Sequence, residues 1–574
     1  MNNKNLYRFG QFSTIFIITL FIFLIPNTNS SQNTNDKNIL WRADFESGNL
    51  SGWEIIDDVP GEPSNWYIDK GFLVQDTDAG DKGRLIGTNI INGNTEWDNY
   101  VLRVNLACTD DDFIGILFRY NDNENYYRLI MSSERKEIIV DKKVNGEFIT
   151  LAKYTDEEWQ YVKYSATIFL KDENIKVYLN DKQFFDINDN QFSKGKIGFT
   201  SVANLGSFFD DITIYSNYEI IPVEIKHEIT RGPYLQNVLE SHAVIMWDTS
   251  LPSNSIVEYG LSKEPQWSKV SEEQVVKHEI KLENLKPETV YYYRIKSGEI
   301  TSEWFSFKTE VNENTPFSFI AYSDTQMNFL RHYEITEQMS KYDFDFIINC
   351  GDVVQRGPRS DWDTEFFNPL KNILKEKPIY AAIGNHELNN ENFYKNFSFP
   401  SEKYENYYSF KYGNCFFVFI DNPRAAYPNK TYYPDYKPGS GQYKWLDSTL
   451  ASEEAQSAEW LFTASHVPSY VGGKQDHFEG NKKYLVPLFE KYGVDISFSG
   501  HVHGYERGEV NGVSYIITAG GGGTQNKRNV SKLKQYKAFK LVYNFCRIEI
   551  KGKTLFFKAY DNYNTLIDEM EIKH

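Results

Sequence analysis

Five apolar runs in the C-terminal half of this chain, each of strand length, end on residue types that ligate metal ions. Residues 317–322 lead to Asp324, residues 346–350 to Asp352, and residues 379–383 to Asn385 and His386. Residues 460–464 lead to His466, and residues 494–498 to His501 and His503. Runs of this kind read as strands buried on both faces. In open α/β sheets the functional groups gather at the carboxyl ends of such strands. A single His-x-His pair is weak as a signal; five strand ends of one chemical kind point to a metal-dependent enzyme.

The chain has 574 residues, which is too long for one core and points to about three or four domains. A net charge of −18 disfavours nucleic acid, whose phosphates need stripes of Lys and Arg, and it disfavours an anionic membrane surface. Lys4 and Arg8, an apolar stretch over 15–25 and the polar exit 26–31 match a secretory signal over residues 1–31. The apolar stretch is too short to cross a bilayer comfortably, and no cysteine lies near it for lipid attachment. The expectation is a secreted or periplasmic protein with no membrane span in the mature chain. The four cysteines are scattered, which excludes zinc fingers and a disulfide framework and suits buried free thiols.

Residues 38–217 read as all-β, with short alternating runs such as 100–106, 115–120, 175–179 and 211–215 separated by polar turns. The opening Trp41-Arg42-Ala43-Asp44-Phe45-Glu46 and the closing Phe209-Asp210-Asp211-Ile212 resemble concanavalin-like and laminin-G-like jelly rolls. Such modules often bind glycans, so a glycan is a candidate partner. The Trp and Tyr side chains suit either stacking on sugars or filling the core, and the core is favoured. Residues 224–310 form a second β unit. Its stretch 282–293 resembles the strand-turn-strand of a fibronectin III-like sandwich, in which a tyrosine hydroxyl ties back to the backbone. From residue 315 to 574 strands alternate with helical stretches over 329–341, 362–374 and 482–492, an α/β layered pattern. The tail over 539–572 returns to strand alternation and completes a sheet. The fold class is therefore multidomain: an all-β jelly roll, a fibronectin III-like β-sandwich, then an α/β unit.

Asp324, Gln326, Asp352, Asn385, His386, His466, His501 and His503 combine carboxylate, amide and imidazole. That is a donor set for Zn, Mn or Fe rather than a soft thiolate site. Two metals need one shared anionic ligand, which a single Asp supplies, and such a pair suits in-line displacement. Gly520 to Gly523 lack a following Lys and are no P-loop; they let backbone pass close to the site. Asp421 ends a further apolar run, 416–420, and reads as structural.

Gly351-Asp352, Gly384-Asn385-His386-Glu387, His466 and Gly500-His501-Val502-His503 resemble the motifs of the calcineurin-like metallophosphoesterases. The stretches Arg231-Gly232-Pro233-Tyr234-Leu235-Gln236, 244–247 and 257–260 resemble the N-terminal domain of purple acid phosphatases. That resemblance, over residues 231–574, implies a four-layer α-β-β-α catalytic domain and two divalent ions. Asp324, Asp352 and His503 would hold one ion, and Asp352, Asn385, His466 and His501 the other, with Asp352 between. It implies hydrolysis of phosphate monoesters of small molecules by a metal-bridged hydroxide, with His386 protonating the leaving oxygen or gripping the phosphate. His477 is similar to the family's second phosphate-facing histidine. The string Gly351-Asp352-Val353-Val354-Gln355-Arg356-Gly357 resembles the phosphoprotein phosphatase motif and makes Arg356 a candidate phosphate clamp or a surface arginine. Two departures stand out. Gln355 occupies the place of the colour-giving tyrosine, and Asp324-Thr325-Gln326 replaces the first motif. Gln326 is a candidate ligand or a hydrogen-bond partner of one. The expectation is a colourless enzyme with an exchangeable first metal that disfavours ferric iron. A phosphodiesterase, or a glycan-binding surface protein with an inactive phosphatase domain, is the alternative reading.

Overall fold

The computed structural model describes residues 38–574 apart from 111, 156–162, 181, 217–226, 358–361, 402–404, 473–477 and 526–535. The expected signal segment and His477 lie outside the described residues.

The first unit is two antiparallel sheets, one of eight strands and one of seven. Strand Tyr100–Cys108 sits inside the eight-stranded sheet and turns Leu102, Val104 and Leu106 into the core. Side chains alternate across a strand, so this register buries one full apolar set. Trp66 stacks on Phe209 at 6.0 Å, and Phe199 on Phe209 at 4.4 Å. The Trp66 indole N–H donates to Thr88 Oγ1 at 2.8 Å. Trp41, Trp53 and Trp97 pack against the same cluster, so the four described tryptophans of this unit pack into the core, as favoured from sequence.

The second unit is a six-stranded antiparallel β arrangement. Tyr291 accepts the Lys286 backbone N–H at 2.9 Å, the tie-back read from sequence. The unit is fused to the third: Leu235 N–H donates to Leu374 O at 2.8 Å, and the Tyr293 hydroxyl donates to Lys375 O at 2.7 Å. Arg231 bridges Asp248 at 3.0 Å and Asp363 at 2.6 Å.

The third unit holds two mixed sheets packed face to face. Strands Phe317–Tyr322, Phe346–Asn349 and Ile379–Ala381 run parallel in the first. Its other half is the antiparallel tail Asn544–Lys551, Thr554–Asp561 and Leu566–Lys573, as the alternation there predicts. In the second sheet Cys415–Ile420, Trp460–Ser465, Ile496–Ser499 and Val513–Ala519 run parallel. Phe319 of the first sheet meets Phe417 and Phe462 of the second edge-on, at 5.3 and 5.7 Å. All four cysteines are buried free thiols. Helices Phe329–Met339, Gly441–Leu450 and Val486–Tyr492 belong to this unit.

Two helical expectations are corrected. Residues 362–374 hold a π-turn, Trp362–Phe367, and a single turn, Asn368–Leu370, instead of one helix. Pro369 lacks the N–H that the i→i−4 ladder requires. The stretch expected over 482–492 divides into Glu479–Tyr484 and Val486–Tyr492, with Pro487 in the first turn of the second. No helix among the described residues is long and apolar enough to cross a membrane.

The first unit rests on the third through helix Phe329–Met339. Phe72 and Phe208 pack on Phe329 at 5.0 and 4.9 Å, and Lys70 pairs with Glu337 at 2.6 Å. Asn328 caps that helix by accepting the Arg331 N–H at 3.2 Å. The helix begins immediately after the Asp324-Thr325-Gln326 loop, so the jelly roll docks directly behind that turn.

Candidate metal centre

Both sheets present the carboxyl ends of their parallel strands to one side, and the strand-end residues meet there. Asp324, Asp352 and His501 lie in the left-handed region, at φ of 57°, 52° and 67°. A non-glycine residue at positive φ costs about 1–3 kcal/mol and persists where its surroundings fix it. The tight turns aim the side chains back over the strand ends. Gly384 lies so close to Asp352 that a Cβ there would meet Asp352 Oδ1 at 2.2 Å, and a Cβ on Gly523 would meet His503 Nε2 at 2.5 Å. The glycine run at 520–523 therefore makes the close approach expected of it.

The Asp352 carboxylate is central. Its Oδ2 is 3.0 Å from His466 Nε2, 3.9 Å from His386 Nε2 and 3.5 Å from the Gln326 amide nitrogen. On one side, His466 Nε2 is 2.9 Å from Asn385 Oδ1 and 3.1 Å from His501 Nδ1. Donor atoms of Asp352, His466 and His501 lie within 4.8 Å of one another. On the other side, His503 Nε2 is 3.4 Å from Asp324 Oδ1 and 3.4 Å from the Gln326 amide nitrogen. The structure thus brings together all seven residues expected to hold metal, and His386 with them. Arg356 lines the cleft that opens beside His503.

Three imidazoles are locked by backbone carbonyls. Nδ1–H of His466 donates to Cys350 O at 3.0 Å, that of His386 to Gln355 O at 3.0 Å, and that of His503 to Thr524 O at 2.6 Å. Each bond leaves Nε2 as the ring nitrogen that faces the site, where it can bind a metal or carry a proton. Burial opposes a charged Asp352, yet the His466 and His386 rings hold its pKa well below the usual carboxylate range. Burial likewise opposes a charged His466, but Asp352 beside it lifts that pKa to about 9. Burial and the neighbouring His466 push His501 down to about 3.

These residues fit a cation. Carboxylate oxygens, an amide oxygen and imidazole lone pairs converge on shared points, and acceptors this close repel one another unless positive charge lies between them. Gln326 is fully buried, and its Oε1 has no hydrogen-bond partner. Sequence reasoning expected that oxygen to face the metal; in the structure the amide nitrogen does so instead. A half-turn of the amide exchanges the two ends and gives the orphaned oxygen a role. Gln355 Oε1 is a second buried oxygen without a partner.

Two acids that sequence reasoning left without a role organise the loops. Glu387 accepts the backbone N–H groups of Asp352 at 3.1 Å, Val353 at 2.9 Å, Val354 at 3.3 Å and Gly384 at 2.6 Å. Burial and the Asp352 charge raise its pKa to about 8. Glu365 accepts Met327 N–H at 2.9 Å and Gln355 N–H at 2.6 Å. Glu387 was visible as the last letter of the Gly-Asn-His-Glu motif; Glu365 carries no local signal. Tyr433 donates its hydroxyl to Asn385 O at 2.8 Å and so steadies the loop that carries Asn385.

Comparison with known families agrees with this architecture. Residues 317–505 match the calcineurin-like phosphoesterase family, residues 233–309 the purple acid phosphatase N-terminal domain, and residues 40–215 the 3-keto-alpha-glucoside-1,2-lyase-like domain. The chain thus carries a calcineurin-like phosphoesterase domain joined to an N-terminal domain of the purple acid phosphatase type, behind a jelly-roll-like β domain. Among curated relatives, probable purple acid phosphatase 20 of Arabidopsis thaliana is 29% identical over 39% of this chain and 53% of its own length. The Fe(3+)-Zn(2+) purple acid phosphatase 12 of the same plant is 26% identical over 56% of this chain and 74% of its own. The chain spans about half the length of the first curated relatives it matches. The solved structure of purple acid phosphatase PPD1 from yellow lupin seeds shares the fold over 91% of this chain and 95% of its own, at TM-score 0.55 and 14% identity.

Proposed function

We propose that this chain is a binuclear metal-dependent phosphoesterase that hydrolyses phosphate monoesters. The observation that carries this reading is the placement of Asp352 Oδ2 between the His466 and His501 side and the Gln326 and His503 side. Asp324, Gln326, Asp352 and His503 would hold one divalent ion, and Asp352, Asn385, His466 and His501 the other. When bound, such a pair of Zn, Mn or Fe ions neutralises phosphoryl charge and lowers the pKa of water.

The remaining steps fall to the protein's own groups. His386, anchored through Nδ1, presents Nε2 toward the phosphate and delivers a proton to the leaving oxygen. Arg356 offers a guanidinium fork to phosphoryl oxygens. His477 is assigned as a second phosphate-facing histidine on the sequence resemblance alone. Residues 1–31 support export of the enzyme, which N-terminal sequencing of protein recovered outside the cytoplasm tests.

The test is reconstitution of metal-stripped protein with Zn, Mn or Fe(II), followed by assays on nitrophenyl phosphate and bis-nitrophenyl phosphate. Monoester hydrolysis that tracks two bound ions supports the reading. Preference for the diester moves the activity to phosphodiesters, and a protein that binds neither ion nor ester but retains glycans is a binding protein.

A further inference from the structure

A cleft of about 790 Å³ runs from His503, Gln355 and Arg356 to the jelly-roll unit, which supplies its far wall. The volume lies in the range of small-molecule sites. Nothing in the sequence connects residues 67–136 with chemistry at residue 503; the docking of Phe72 and Phe208 on Phe329 places them opposite one another.

The far wall is polar, and two of its carboxylates, Asp76 and Asp110, are fixed by hydrogen bonds. Tyr67 and Asp76 come from the hairpin formed by Trp66–Asp69 and Phe72–Gln75, with Asp69 at its turn. Asp76 accepts from the Tyr67 hydroxyl at 3.1 Å and from Asn65 Nδ2 at 2.9 Å, which sets its rotamer. Asp110 accepts the Leu205 N–H at 2.9 Å. Lys136 and, from the phosphoesterase side, Arg331 share the same cleft. Carboxylates held this way are ready acceptors for ligand donors.

The charge pattern narrows the occupant. Three carboxylates against one lysine on the jelly-roll wall repel a second phosphate or an oligophosphate tail. Lys136 and Arg331 among the acids oppose a cationic head such as an amine. What remains is a neutral group rich in hydroxyl donors. We infer that this cleft is the leaving-group subsite, and that Asp69, Asp76 and Tyr67 of the jelly roll bind the hydroxyls of a sugar-like alcohol whose phosphate lies at the His503 end. This rests on the phosphomonoesterase reading and names its substrate class: monophosphates of polyhydroxylated alcohols.

The experiment uses the full chain reconstituted with metal. It measures kcat/KM for a hexose monophosphate, phosphoethanolamine and a nucleoside diphosphate, each relative to nitrophenyl phosphate. The expected result is a hexose phosphate preferred at least tenfold over the other two. The pair of substitutions Asp69→Asn and Asp76→Asn then lowers the hexose ratio about tenfold through KM. Equal loss on all four substrates, or preference for the nucleoside diphosphate or phosphoethanolamine, overturns the inference. Should the double variant fail to fold, Asp69→Asn alone carries the measurement, since Asp69 is half-buried at the turn while Asp76 ties the hairpin to Asn65. A second readout is independent of turnover: saturation-transfer NMR of the free hexose with the full chain, expected for the wild type and lost in the variant. Hexose contact without hydrolysis of any ester sinks the phosphatase reading alone; hydrolysis without hexose contact sinks the subsite alone.

Discussion

His466 Nε2 lies 3.0 Å from Asp352 Oδ2, with both side chains buried and the opposite ring nitrogen of His466 pinned to Cys350 O. The pair joins the two sheets, because Asp352 follows strand Phe346–Asn349 and His466 follows strand Trp460–Ser465. Replacing either partner removes a candidate metal donor from the described cluster. Asp352→Asn should lower kcat by on the order of 10³-fold and His466→Ala by a similar factor. Elemental analysis should show both ions diminished in Asp352→Asn, and one retained in His466→Ala. Full metal content in Asp352→Asn would remove that residue from its central place.

Glu387 holds the candidate metal-binding loops through their backbone, without offering a donor to the metal itself. Four backbone N–H groups from two ligand loops converge on its carboxylate. Glu387→Ala leaves them buried without acceptors, at about 1–3 kcal/mol for each group that water fails to reach. The variant should lose at least ~3 kcal/mol in denaturant unfolding, and its metal affinity should fall about 10–100-fold. Glu387→Gln keeps one acceptor oxygen and should lose less on both measures. Equal stability of wild type and Glu387→Ala would mean that the loops hold themselves.

Gln326 and Gln355 each carry an orphaned amide oxygen near the centre. Neither side chain provides a phenolate, so the iron-loaded wild type should show no visible charge-transfer band. Gln355→Tyr places a phenol where the family resemblance puts its coloured ligand, and should give a visible band with ferric iron. Gln326→His exchanges an amide for an imidazole and should slow loss of the first metal to a chelator by about tenfold. Absorption spectra and chelator-release rates check the two outcomes separately.

The sequence made the candidate ligands legible because each sits where an apolar strand stops, a pattern visible along the chain. Asp324, Asp352, Asn385, His466, His501 and His503 all meet where those strand ends predict. The tyrosine tie-back at Tyr291 and the closing strands of the tail were legible for the same reason: their cues are local. Pro369 and Pro487 were also local cues, and they mark where the expected helices break. Glu365 was not legible, since its value lies in accepting N–H groups from Met327 and Gln355, which only the fold brings near. The far wall of the cleft was hidden more deeply. Tyr67, Asp69 and Asp76 lie on an ordinary hairpin, and their position opposite His503 depends on how two domains pack. The orientation of the Gln326 amide is likewise a matter of surroundings rather than sequence.

Asp421 follows strand Cys415–Ile420 and is 1% exposed. Its Oδ2 accepts from Asn406 Nδ2 at 2.7 Å, while Oδ1 has no partner. Burial raises its pKa from 3.8 to about 7, and the Asn406 bond offsets only part of that. The folded protein therefore holds this proton more tightly than the unfolded chain does. The resulting stabilisation is complete below about pH 4, declines as pH rises, and is gone above about pH 7. A shift of about three units corresponds to roughly 4 kcal/mol at most. Asn in place of Asp stays neutral at every pH, so Asp421→Asn should remove this slope. Unfolding free energies by denaturant at about pH 5 and about pH 8 check it: the wild type should lose more stability between the two than the variant does. Parallel pH profiles for the two proteins would show that Asp421 is already ionised in the fold at the lower pH and that a charge is tolerated at this buried strand end.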